Sequence, residues 1–130
     1  MHVCLDVDST VNYAPDFFVA LCRRFPDAVI TAITSGIDES ETQSYLDSIG
    51  LRYDRIIDSI SPGYERQEDE SPHEWKAEMV NRLRPDILFE CVPQVVSLIH
   101  PSILVFLPWR ESNRRWIALS HVEGGVADAT

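Results

Sequence analysis

The sequence predicts an α/β fold: a three-layer, doubly wound parallel sheet of five strands in a single domain without a large cap. Three observations carry this. Short apolar runs rich in β-branched residues alternate with longer segments whose apolar residues recur at helical spacing. The 130-residue length suits one domain with one sizeable core. Strand–helix alternation at this spacing implies right-handed crossovers, and hence a parallel sheet with helices on both faces.

Each element has a local reason. His2–Val7 reads as a buried strand, with Val3, Leu5 and Val7 alternating and Cys4 also apolar. Ala14–Phe25 follows as a helix, with Pro15 in its first turn and Phe17, Phe18, Leu21, Cys22 and Phe25 on one face. Pro26 ends it, and Ala28–Thr34 is the second strand. Asp38 and Glu41 have capping-box spacing for a helix to Ile49, buried through Tyr45, Leu46 and Ile49 and stopped at Gly50. Tyr53–Asp58 is a third strand. The stretch 61–70, with Pro62, Gly63 and four acids, reads as an exposed loop.

"SPHE" opens the next helix, with Ser71 as cap, Pro72 at the first helical position and Glu74 closing the box. Trp75, Met79 and Leu83 give it an apolar stripe. Asp86–Glu90 is a fourth strand, Pro93–His100 a short helix, Ser102–Leu107 a fifth strand and Asn113–Ser120 a last helix. The domain is expected over residues 1–123, with 124–130 a frayed tail.

Composition narrows the classes of function. No segment approaches the length of a membrane span, and no leader is expected because strand-like sequence starts at His2. Cys4, Cys22 and Cys91 are odd in number and in no metal-binding pattern, which reads as reduced thiols in a cytoplasmic protein. The net charge of −10 would repel a polyphosphate backbone and disfavours nucleic acid as a partner. A small anionic substrate fits if a cation reverses the local field. His2, His73, His100 and His121 are scattered, and Arg110, Arg114 and Arg115 read as surface ion-pairing groups. Homodimer formation is left open.

In doubly wound sheets ligands bind at the carboxyl ends of the strands. Asp6 and Asp8 follow the first strand, Thr34 and Ser35 the second, and Glu90 the fourth. Two neighbouring carboxylates need a cation, a shared proton or water. A phosphate monoester at this edge would meet a complete set of groups. Asp6 could attack phosphorus, Asp8 could protonate the leaving oxygen and then activate water, and Thr34 could hold phosphoryl oxygens. Lys76 could neutralise charge, and a hard cation such as magnesium could bridge carboxylate and phosphoryl oxygen.

"DVDST" resembles the first motif of the haloacid dehalogenase superfamily, Asp-x-Asp-x-Thr/Val after an apolar strand. "AVITAITS" resembles its second motif, Lys76 at a helix start its third, and "LRPDILFECVPQVV" its fourth. The four stretches occur in the family's order from Leu5 to Gln94. The resemblance implies a magnesium-dependent phosphohydrolase acting through a phosphoaspartate on a small phosphate monoester, best a nucleoside monophosphate. It implies Asp6 as nucleophile, Asp8 as general acid and base, Thr34 and Ser35 as phosphate anchors and Lys76 as charge stabiliser. Metal would be held by Asp6, the Asp8 carbonyl and Glu90.

"YDRIID" and "FLPWRES" are similar to the small nucleotidase-like members, and the short first crossover leaves no room for an inserted cap. The fourth motif departs from the pattern: Glu90-Cys91 stands where the family has two acids, and cysteine is a poor ligand for a hard cation. The alternative is a degenerate member that binds or regulates without turnover. A phosphoacceptor receiver module is disfavoured because its lysine should follow the last strand.

Overall fold

In the computed structural model, which describes residues 1–36 and 38–108 together with Arg114, the five apolar runs form one parallel sheet. The strands are β1 (His2–Asp6), β2 (Val29–Ile33), β3 (Arg55–Ile57), β4 (Ile87–Phe89) and β5 (Leu104–Phe106), in the order β3-β2-β1-β4-β5. The helices are α1 (Pro15–Arg24), α2 (Glu39–Ile49), α3 (Pro72–Leu83) and α4 (Pro93–Val96), with a 3-10 turn at Val11–Tyr13. The expected doubly wound, three-layer architecture is therefore present. No helix among the described residues is long and apolar enough to cross a membrane.

Side chains alternate across β1, and that alternation divides the core. Val3 and Leu5 join Phe18, Cys22, Ile30, Ala32, Leu46 and Ile56 on the face covered by α1 and α2. Cys4 joins Ile33, Ile57, Trp75, Met79, Val80 and Leu88 on the face covered by α3. Asp6 has the parity of Cys4, so it faces α3. The chain runs outward from β1 through β2 to β3, then returns to β4 on the other side of β1. The crevice between β1 and β4 is thus the switch point, where open α/β sheets hold their ligands.

The helix starts follow their capping residues. Asp38 accepts the Glu41 amide at 3.0 Å, Ser71 accepts the Glu74 amide at 3.1 Å, and Gly50 closes α2 at φ +74°. The acid-rich loop at 61–70 is largely exposed, as expected, and Cys4, Cys22 and Cys91 are all buried and form no disulfide.

Three expectations need correction. Phe17 is 54% exposed and Phe25 45%, so α1 buries only Phe18 and Cys22, one turn apart, squarely against the sheet. The helix after β4 stops at Val96: the Leu98 and Ile99 amides donate to the Val95 and Val96 carbonyls in i→i+3 turns, and the His100 amide leaves the ladder for Asn81 Oδ1, with Pro101 next in the chain. The strands are one to three residues shorter than their apolar runs, whose end residues join the ladder through single bonds such as the Val7 amide to the Ile33 carbonyl and the Thr34 amide to the Ile57 carbonyl. The expected last helix, Arg110, Arg115 and the 124–130 tail lie outside the described residues, and Arg114 is exposed.

Candidate active site

The carboxyl ends of β1, β2 and β4 bring together residues far apart in the chain. Asp6, the last residue of β1, is fully buried. Its Oδ1 accepts a hydrogen bond from Lys76 Nζ at 2.6 Å, and its Oδ2 accepts one from Thr10 Oγ1 at 2.9 Å. Lys76 reaches it because α3 packs on the same sheet face, with Trp75, Ala77, Met79 and Val80 buried beside it. The lysine is only 5% exposed. A buried ammonium requires close anionic partners, and Asp6 is the nearer of two.

The second is Glu90, at the end of β4, with Oε1 3.5 Å from Lys76 Nζ. Its Oε2 accepts the amides of Cys91 at 2.8 Å and Val92 at 3.1 Å. Oε1 is buried and makes no hydrogen bond, so its approach to Lys76 is an ion pair without directed geometry. Burial pushes the Glu90 pKa up, to about 7, with the Asp6 charge adding and Lys76 opposing. Burial works against the charged form of Lys76, but the Asp6 and Glu90 carboxylates outweigh it and raise its pKa.

Asp8 lies at the exposed mouth, just past the strand. Thr34 Oγ1 donates to Asp8 Oδ2 at 2.8 Å and accepts the Gly36 amide at 3.1 Å. This pairing joins the β1 and β2 ends. Ser35 is half-buried beside Thr34 on the same turn. The chain turns at Ser9, where φ is +66° and the amide donates to Asn12 Oδ1 at 2.6 Å. A cleft of about 390 Å³ opens beside Asp8 and Thr34, lined also by Asp38, Glu41 and Tyr45.

All six sequence-predicted residues therefore stand at one edge. Asp6, Lys76 and Glu90 form a buried ionic cluster, while Asp8, Thr34 and Ser35 form its mouth. A lysine at the fifth position of a helix, as Lys76 is in α3, would ordinarily be solvated; only the register of α3 on the sheet reveals its burial. Two contributors were missed. Thr10, the last residue of "DVDST", binds Asp6 directly. Cys91 is more than a small buried apolar residue, because its thiol lies 3.6 Å from Asp6 Oδ2 and 3.8 Å from the Asp8 carbonyl. Burial raises the Cys91 pKa, a hydrogen bond to Thr10 opposes this, and the Asp6 charge adds to it. Asp58 is a further buried acid at the β3 end, holding the Ile60 amide and the Ser61 hydroxyl through Oδ1.

Among the described residues, Asp6, Glu90 and Cys91 can each turn a ligand atom into one small space. Magnesium suits this set poorly. It calls for a near-octahedral oxygen shell, and here a sulfur stands where an oxygen is needed.

No family model matches this chain, and no curated protein matches it. Among solved structures, a chain of the Pnkp1/Rnl/Hen1 RNA repair complex superposes with a TM-score of 0.64 at 12% identity, over 82% of this chain and 42% of that one. An uncharacterized protein from Corynebacterium glutamicum ATCC 13032 Kitasato superposes with a TM-score of 0.49 at 11% identity, over 92% and 91% of the two chains. This chain thus spans less than half the length of the RNA repair chain it resembles, and that likeness establishes the three-layer parallel α/β fold.

Proposed function

We propose that the chain is a haloacid dehalogenase-like phosphohydrolase acting on a small phosphate monoester, with Asp6 as the nucleophile. The supporting observation is the pairing of Asp6 with Lys76, 70 residues away, beside the Asp8–Thr34 pair at the same strand ends. An Asp6 carboxylate oxygen attacks phosphorus and the bond to the leaving oxygen breaks, while Asp8 delivers a proton to that oxygen. Asp8, now ionised, takes a proton from water. The hydroxide attacks phosphorus, the acyl-phosphate bond breaks, and Asp6 is regenerated with release of inorganic phosphate. Lys76 offsets the charge of Asp6 throughout, and the Thr34 and Ser35 hydroxyls hold phosphoryl oxygens.

A nucleoside monophosphate remains the preferred substrate. The RNA repair neighbour brings a phosphate-ended polynucleotide into consideration, but the net charge of −10 and the acids Asp8, Asp38 and Glu41 around the cleft weigh against a polyanion. The test is a phosphate-release screen over nucleoside monophosphates, sugar phosphates, an aryl phosphate and a phosphate-ended oligonucleotide. It is run with magnesium, manganese or zinc and with chelator. Release from a monoester that disappears in a folded Asp6→Asn variant supports the mechanism; release that survives in that variant overturns it.

Cys91 favours one second reading, a phosphate-binding protein that no longer turns over. In that case Cys91→Asp creates magnesium-dependent hydrolysis that the parent lacks.

A further inference from the structure

We propose that Asp6, the Asp8 carbonyl, Glu90 and Cys91 form a site for a zinc-like divalent cation, bound through the Cys91 thiolate in preference to magnesium. The proposal deepens the phosphohydrolase reading by naming the ion, and it is judged on binding, which is measured separately from turnover.

Four observations carry it. The first is donor spacing. A thiolate sulfur about 2.3 Å and an oxygen about 2.1 Å from zinc, at a tetrahedral angle, lie about 3.6 Å apart. Cys91 Sγ is 3.6 Å from Asp6 Oδ2 and 3.8 Å from Asp8 O.

The second is the state of Glu90. Its Oε1 is completely buried, belongs to a residue with 0% exposure and makes no hydrogen bond. Its neighbour is the Lys76 ammonium at 3.5 Å, a loose ion pair that leaves the oxygen's hydrogen-bonding capacity unused, and buried carboxylate oxygens are rarely left so. Its other oxygen is pinned by two backbone amides, so the carboxylate is already oriented.

The third is selectivity of the donors. A thiolate, two carboxylates and a carbonyl form a mixed sulfur and oxygen set, which suits zinc or cobalt and disfavours magnesium.

The fourth is charge. With Cys91 ionised, the site holds three anions and the Lys76 ammonium, and a divalent ion brings the total to zero. A neutral cluster is the form that burial tolerates best. Lys76 holds Asp6 Oδ1, while Oδ2 accepts from the Thr10 hydroxyl and faces the Cys91 sulfur, so that its second lone pair would take the metal. Binding converts the Cys91 S–H bond into a sulfur–metal bond and releases the proton to the buffer.

The experiment uses the full chain, freed of metal and kept reduced with a phosphine. Cobalt is titrated while ultraviolet thiolate-to-metal charge transfer is followed, and zinc affinity is measured by competition with a chromophoric chelator. One equivalent of zinc should bind, and a charge-transfer band should grow with cobalt. Cys91→Ser should remove the band and weaken zinc at least about 100-fold, beyond the 10- to 100-fold effect of outer-sphere partners. Cys22→Ala, altered in the α1 core, should keep both. Cys91→Asp should exchange the preference toward magnesium. Circular dichroism establishes that each variant is folded. Absence of the band in the folded parent, or a band undiminished in Cys91→Ser, overturns the proposal.

Discussion

Lys76 Nζ and Asp6 Oδ1 lie 2.6 Å apart with both side chains shut away from solvent, which makes this ion pair the electrostatic centre of the molecule. A buried pair of this kind contributes little over a well-packed apolar pair, but removing one partner strands the other charge. Lys76→Met should therefore destabilise the protein by about 3–5 kcal/mol. Adding Asp6→Asn should restore part of that loss, which urea unfolding of the single and double variants measures.

Glu90 gives stability a pH dependence whose sign follows from its raised pKa. The folded state holds a proton on Glu90 that the unfolded chain releases nearer 4.5, since the folded value stands at about 7. Its contribution to stability is complete below about pH 4.5 and is lost as pH rises through about 7. In chelator, the urea midpoint should fall across that window. Glu90→Gln should flatten this part of the profile.

Asp8 is exposed and joined to the fold by the Thr34 hydroxyl. Asp8→Asn should lower kcat by about 10²- to 10⁴-fold, the usual weight of a positioned acid–base group. Its stability should stay within about 1 kcal/mol of the parent, because only one partly buried hydrogen bond is altered. Steady-state kinetics and a denaturation curve on one preparation separate the two effects.

Trp75 is completely buried one residue before the lysine, and its indole N–H donates to the Tyr64 carbonyl at 2.7 Å. Trp75→Ala should cost about 3–5 kcal/mol through the cavity it leaves. Trp75→Phe should cost about 1–3 kcal/mol, chiefly from the unpaired carbonyl. Thermal unfolding by circular dichroism distinguishes them.

The fold was largely legible because strand and helix signals agreed with each other at every level. β-Branched runs sat between caps such as Asp38 and Ser71, and these produced the observed helix starts. The site was legible through one rule about strand ends, which places Asp6, Thr34 and Glu90 together without any side-chain detail. What escaped depends on direction in space. The burial of Lys76 needs the parity of Asp6 on β1 and the rotation of α3 together. The aim of the Cys91 thiol depends on the backbone path after β4, where Glu90 folds back on its own downstream amides. Phe17 and Phe25 share a helical stripe with Phe18, yet a ten-residue helix presents only a narrow line to a sheet.

The ammonium that balances the acids arrives on a different helix from the strands that bear them. Until α3 seats, β1 and β4 would bring two acids into an apolar crevice with no counter-charge, and Glu90 would keep its proton there. Docking of the third helix is thus what lets both acids ionise at the middle of the sheet, and the charge state of that seam depends on a helix that contributes no strand to it.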